Sequence, residues 1–380
     1  MIVHVIDNID RNSGGPATVV RELAAAQARR GDRVAIVCER SDNMEADTGL
    51  AGRERSARDV ECIQVGKVGR IGQSTSLIRA LDRLEPVLLH LHGVWDPIVM
   101  AAAAAAGSRP TTLSTHGMLH PAALQRSGRR KRAFLWAYRR RLGHIGAFAA
   151  LNAEEARYVR ELTCRVCEVV PNGINAEPLS ALAARRKAAE QTRTDLPPNL
   201  LNICRIHEIK GLDRLIRAFS GYVCKGGTAS LVIAGPDGGD QPRLESLIKS
   251  LCLEDMVRFV GPAWGEAKYE LLEGCAAFVH TPRFEGFGIA VAEALGAGVP
   301  TLTTVNCHLD GASDAGVLLQ VADSDEAVEA GIARVLADST LRATLSDRSV
   351  HWASMNLSWA SIASRTSDLY RKASGQTVGL

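Results

Sequence analysis

At 380 residues, with 46% hydrophobic residues, 23% charged residues and a formal net charge of +3, the composition is that of a globular protein and excludes a disordered or fibrous one. The length exceeds one ordinary core and suits two domains of about 150–200 residues. No run approaches the roughly 20 apolar residues a membrane-spanning helix needs; the longest, Ile98 to Gly107, is alanine-rich and about half that length.

The N-terminal MIVHVI reads as a first strand, without the basic start or cleavage site of a signal peptide, which sets the expectation of a cytoplasmic protein. The glycine loop NSGGPA follows, and then TVVRELAAAQARRG, apolar at helical spacing and ending at Gly31. RVAIVCE, VLLHLHG, TTLSTHG, AFAALN and VCEVVPNG are the next candidate strands, separated by helical patterns. Such alternation predicts a parallel sheet covered on both faces. After the polar stretch QTRTDLPPN the pattern restarts with LLNICRI, SLVIAGP, MVRFVGP, AAFVHTP and VPTLTT. Two α/β units, joined near Pro171–Pro178, predict two Rossmann-like domains whose strand ends face a ligand crevice. SWASIASRTSDLYRKA closes the chain as an amphipathic helix.

Charge is uneven. Residues 1–175 hold 25 Lys and Arg against 18 Asp and Glu, and no acid lies between Asp96 and Glu154. In that gap Arg126–Arg141 carries eight basic residues, among them Arg129, Arg130, Lys131, Arg132, Arg139 and Arg140, interleaved with Phe134, Leu135, Trp136 and Tyr138. The stretch fits a solvated basic helix or attachment to an anionic membrane surface; no nucleic-acid recognition motif accompanies it. The nine cysteines are irregularly spaced, as in a reducing compartment. Cys164 and Cys167 form a CxxC with no second pair nearby and read as buried thiols.

The most informative segment is FEGFGIAVAEALGAGVP, from Phe284 to Pro300, with Glu285 and Glu293 eight positions apart. It resembles the E-x7-E signature of the family 4 retaining glycosyltransferases, and the resemblance extends in order through NSGGPA, STHGML, VVPNGIN and CRIHEIKG. The likeness is strongest to members that build bacterial surface polysaccharides. It implies the GT-B fold: an acceptor-side domain over 1–174, a nucleotide-sugar donor domain over 175–357, and a helix over 358–375 packing back on the first domain.

The residues suit that chemistry. Gly286 and Gly288 permit close backbone approach, and the helix beginning near Ile289 offers amides to a phosphate. Arg205 and Lys210 would neutralise the donor diphosphate as charge builds on the leaving group. By resemblance Glu285 holds the donor sugar, Glu293 about two turns into the helix accepts from the ribose, and Gly15, Phe287 and Ile289 complete the donor site. His116, after the strand TTLST, is the candidate catalytic residue with Glu285, positioning the transferred sugar and acceptor. Gly14, His92 and Gly117 fall on the acceptor side, His92 reading equally as a packed histidine. Cys204 stands where many relatives carry glycine. Asp323 and Asp325 form a DxD, read as a helix N-cap with first-turn acids and not as a metal site. No cofactor or catalytic metal is expected.

The implied reaction moves a hexose from a UDP- or GDP-sugar to a saccharide acceptor, lipid-linked, by front-face displacement with retention. The alternatives are a nucleotide-sugar epimerase or hydrolase of the same form, a non-catalytic sugar-binding protein, and a dinucleotide-dependent oxidoreductase. Against the last, no GxGxxG follows the first strand.

Overall fold

The computed structural model describes residues 1–10, 15–39, 60–69, 74–125, 128–190 and 198–375. The chain divides into two compact units: residues 1–173 with 359–380, and residues 174–358.

The first unit is built on β1 (Ile2–Ile6), β2 (Val34–Glu39), β3 (Glu61–Val65), β4 (Leu88–His92), β5 (Thr111–Ser114), β6 (Ala147–Ala150) and β7 (Val166–Val169), all parallel in the order 3-2-1-4-5-6-7. The direction of winding reverses between β1 and β4, the switch point where such sheets bind ligands. Its helices are α1 (Gly15–Arg29), α2 (Thr75–Leu84), α3 (Pro97–Ala105), α4 (Pro121–Gln125), α5 (Gly128–Gly143) and α6 (Ala153–Thr163). The alanine-rich run becomes α3, a core helix with Ile98, Val99 and Met100 fully buried.

The second unit starts with α7 (Ala176–Glu190). Its strands β8 (Asn199–Ile203), β9 (Ser230–Ala234), β10 (Val257–Phe259), β11 (Ala277–His280), β12 (Thr301–Thr304) and β13 (Leu319–Val321) are parallel in the order 10-9-8-11-12-13, reversing between β8 and β11. Around them lie α8 (Leu212–Cys224), α9 (Gln241–Ser250), α10 (Glu266–Gly274), α11 (Ile289–Gly296), α12 (Asp325–Ala337) and α13 (Ser339–Leu357). The last helix, α14 (Trp359–Ala373), belongs to the first unit: Trp359, Ile362 and Ala363 pack on Val19, Leu23 and Ala26 of α1.

Two parallel sheets with helices between their strands are the expected α/β architecture. Both sheets carry one more strand than the sequence patterns indicate, β3 and β13. Each is an edge strand that is half-buried or exposed along most of its length, so neither shows the continuous apolar run of a central parallel strand. Cys167 is buried on β7, but Cys164 is exposed at the left-handed C-cap of α6, so the CxxC is not a buried pair. The DxD expectation also shifts: Ser324 is the N-cap of α12, while Asp323 and Asp325 pair with Arg214, and Asp325 also with Arg217. Among the described residues no helix is long and apolar enough to cross a membrane.

Candidate functional site

In the second unit the loops after β8 and β11 leave the sheet on either side of its switch point. After β8 the chain makes a 3-10 turn, Glu208–Lys210, capped by His207 Nδ1, which accepts from Ile209 N–H. Gly211 ends the turn at φ +62, and a Cβ there would lie 2.0 Å from the carbonyl oxygen of Thr281. Only glycine lets the two loops approach so closely. Further bonds join them: Arg283 N–H donates to Ile209 O at 2.9 Å, and the Arg283 guanidinium grips Asp213 through two 2.8 Å bonds.

This clamp delivers Lys210 to Glu285. The ammonium and carboxylate form an ion pair with each side chain under one-fifth exposed, and His280 Nε2 lies 3.3 Å from the same carboxylate oxygen. Asn202 on β8 sits 3.3 Å from His280 Nδ1. Burial alone would raise the Glu285 carboxyl; the His280 hydrogen bond and the Lys210 charge outweigh it and hold it at about 2. The Glu285 backbone is pinned in turn to residues 306–308. Gly288, at φ +77, caps α11, where a side chain would be strained. Glu293 lies little more than one turn into α11, not two, and pairs with Lys268 of α10 at 2.5 Å.

Lys210, Glu285, Gly286 and Gly288 therefore share the strand ends. Arg205 stands exposed on the same β8 loop. Phe287 is buried at 2% exposure, so any contact with a donor falls to its backbone, and Ile289 is half-buried at the start of α11. The structure supplies each of the two glutamates with a lysine partner. His280, Asn202 and Lys268 carry no sequence signal strong enough to find them, because their partners are distant in the chain.

In the first unit, His116 and Gly117 follow β5 with φ of +52 and +79. A histidine in this left-handed region is strained, as residues at functional sites often are. The loop is held by Glu155 of α6, whose oxygens accept from Leu119 N–H and Leu151 N–H at 3.1 Å each. His92 ends β4, 1% exposed, with Nδ1 3.0 Å from His116 Nε2 and the rings stacked. A cavity of ≈ 20 Å³ opens between His90, His92, Ser114, His116, Pro171 and Thr366, room for about one water. Burial lowers His116 to about 4 and His92 well below its usual value, so both rings are neutral at pH 7. Gly15 is the exposed first residue of α1; Gly14 lies outside the described residues.

On α5, Arg129, Arg130, Arg132, Arg139 and Arg140 are exposed, and Trp136 is 74% exposed among them. Leu135 and Leu142 are buried on the inner side. Lys131 does not join the outer face: it donates to Ala123 O and lies over the Trp95 ring.

Comparison with known proteins adds the lineage. The model for Glycosyltransferase Family 4 matches residues 13–178, and that for Glycosyl transferases group 1 matches residues 185–352. Mannosylfructose-phosphate synthase of Agrobacterium fabrum is 30% identical over 43% of this chain, but only 38% of its own length is matched. The GDP-mannose:cellobiosyl-diphosphopolyprenol alpha-mannosyltransferase of Xanthomonas campestris is 24% identical over 83% of this chain and 81% of its own. Among solved structures, Anabaena Alr3699/HepE in complex with UDP superposes with a TM-score of 0.75 at 17% identity, covering 97% of this chain and 98% of that one. Two family models in succession, the two parallel sheets and the GT-B likeness agree: the chain belongs to the family 4 glycosyltransferases.

Proposed function

We propose that the protein is a retaining glycosyltransferase that moves a hexose from a UDP- or GDP-sugar to a saccharide acceptor, lipid-linked, in polysaccharide or glycolipid synthesis. The observation that carries this reading is the Lys210–Glu285–His280 cluster at the β8/β11 switch point, below the N-terminus of α11. Its carboxylate stays ionised to accept sugar hydroxyls, while Lys210, Arg205 and the α11 amides are placed for a diphosphate. Glu293, which pairs with Lys268, exchanges toward the ribose when donor binds. No metal is called for, since these cations supply the neutralising charge. The UDP of the HepE complex and the GDP-mannose and diphosphopolyprenol in the Xanthomonas enzyme's name support this choice of donor and acceptor classes.

The first unit takes the acceptor. His116, with Gly117 and His92 behind it, positions the transferred sugar, and the leaving diphosphate receives the acceptor's proton in a front-face displacement. The arginine-rich outer face of α5, with Trp136 at its centre, suits an anionic lipid surface, where each basic residue contributes about 1 kcal/mol.

Thermal unfolding with UDP, GDP, UDP-glucose, GDP-mannose and NAD tests the donor assignment. Ligand at about 100 times its dissociation constant stabilises by roughly 2.7 kcal/mol. The expected result is a shift with one nucleotide family that disappears in Lys210→Ala. A shift with NAD alone would overturn the reading.

A further inference from the structure

His116 is one end of a hydrogen-bonded chain through the first unit. Its Nε2 lies 3.0 Å from His92 Nδ1, His92 Nε2 lies 2.8 Å from His4 Nδ1, and His4 Nε2 lies 2.7 Å from Gln27 Oε1. The Gln27 amide nitrogen donates to the Tyr370 hydroxyl at 2.9 Å. That hydroxyl is 2.7 Å from His90 Nδ1, and His90 Nε2 is 2.7 Å from Ser114 Oγ. His4 on β1, His90 and His92 on β4, and Gln27 on α1 are all at most 1% exposed, and β1 and β4 flank the switch point. Burial keeps all four imidazoles neutral at pH 7, with His4 and His116 at about 4. A neutral ring has one N–H and one bare nitrogen.

Neutral rings make the chain directional. Gln27 Oε1 only accepts, so His4 carries its hydrogen on Nε2 and its bare Nδ1 accepts from His92 Nε2–H. His92 Nδ1 then accepts from His116 Nε2–H. On the other arm Gln27 donates to the Tyr370 oxygen, whose single hydrogen goes to His90 Nδ1, and His90 Nε2–H donates to Ser114. We propose that Gln27 and Tyr370 are positioning residues: the amide, oriented by the hydroxyl, fixes His116 as its Nε2–H tautomer and leaves Nδ1 bare to receive a sugar hydroxyl. This rests on the sugar-positioning reading of His116 given under Proposed function.

His4, His90 and His92 also present nitrogens within 4.8 Å of one another, as a divalent ion would need. All six of their ring nitrogens already face partners at 2.7–3.0 Å, and an ion would break the chain.

Long-range 1H–15N correlation of the histidine rings in the full chain at pH 7 reads the tautomers directly. All four rings are expected as Nε2–H in the wild type, a measurement that needs no variant. Tyr370→Phe removes one oxygen, frees the amide to turn over, and is expected to give an averaged or Nδ1–H His116. Transfer then falls about tenfold while the UDP-induced shift in Tm is unchanged. Gln27→Glu accepts at both ends, so His116 stays Nε2–H while His90 becomes Nδ1–H. A wild-type His116 that is Nδ1–H or averaged overturns the proposal, as does an unchanged tautomer in Tyr370→Phe, or one equivalent of zinc bound at the triad. Locked tautomers beside a His116→Ala variant that transfers at full rate would overturn the role of His116 and leave the lock standing.

Discussion

Lys210 and Glu285 sit on loops from the adjacent strands β8 and β11 and meet in an ion pair that ties together both sides of the second unit's switch point. Replacing either partner leaves the other charge largely buried. Lys210→Met and Glu285→Gln are each expected to lower transfer at least about a hundredfold, with a stability loss of about 1–3 kcal/mol given the pair's partial exposure. Because Glu285 titrates at about 2, below its unfolded value of 4.5, its contribution is full above pH 4.5 and is lost as pH falls toward 2. Urea unfolding of Glu285→Gln across pH 3–7 should show that pH dependence gone.

The buried histidines act in a higher window. His4 and His116 are held at about 4 in the folded protein against 6.5 unfolded, so the unfolded chain takes up protons first as the pH drops. Stability is full above pH 6.5 and declines toward pH 4, by about 1.4 kcal/mol per pH unit for each ring that stays neutral. Buried acids oppose part of this slope, chiefly Asp96, whose carboxyl burial raises to about 6. Ring 1H–13C titration separates the two: neither His4 nor His116 should gain a proton above about pH 5.

Gly211 is where the clamp admits no side chain. Gly211→Ala places a methyl group against Thr281 O in a left-handed conformation, forcing the Lys210 turn away from β11. The expected outcome is a loss of about 2 kcal/mol or more together with a weaker UDP-induced shift. Retention of both at wild-type levels would show that the loops move independently.

The outer face of α5 predicts binding to vesicles containing phosphatidylserine at low salt, with a blue shift of Trp136 fluorescence. Reversing Arg132 and Arg139 to glutamate should abolish it, at a cost of about 1 kcal/mol or more per residue. Equal recovery on neutral vesicles, or no sensitivity to salt, removes the membrane assignment.

The central strands were legible in the sequence because parallel strands covered on both faces read as unbroken apolar runs, such as VAIVC and SLVIA. The edge strands ECIQV and LQV lack that signal. His116, Lys210 and Glu285 were legible through motifs. Their supports were not: Glu155, His280 and Lys268 are ordinary residues until the fold brings them to a partner, and Gln27 lies 343 positions from Tyr370. One signal was available. His4 and His90 interrupt apolar strands at positions where neither face meets water, and a buried imidazole has to be hydrogen-bonded there.

Tyr370 and Trp359 lie on a helix that the ribosome makes after the whole of the second unit, yet α14 covers α1 and supplies a bond to both Gln27 and His90. The second unit is continuous in sequence and holds everything it needs once residue 358 has emerged. The first unit does not. At about 5–20 residues per second, its histidines and the apolar face of α1 stay uncovered for roughly 10–40 s after residue 173 is made. The earlier-made unit therefore cannot close its histidine network until α14, made after the whole of the second unit, is available to pack on α1.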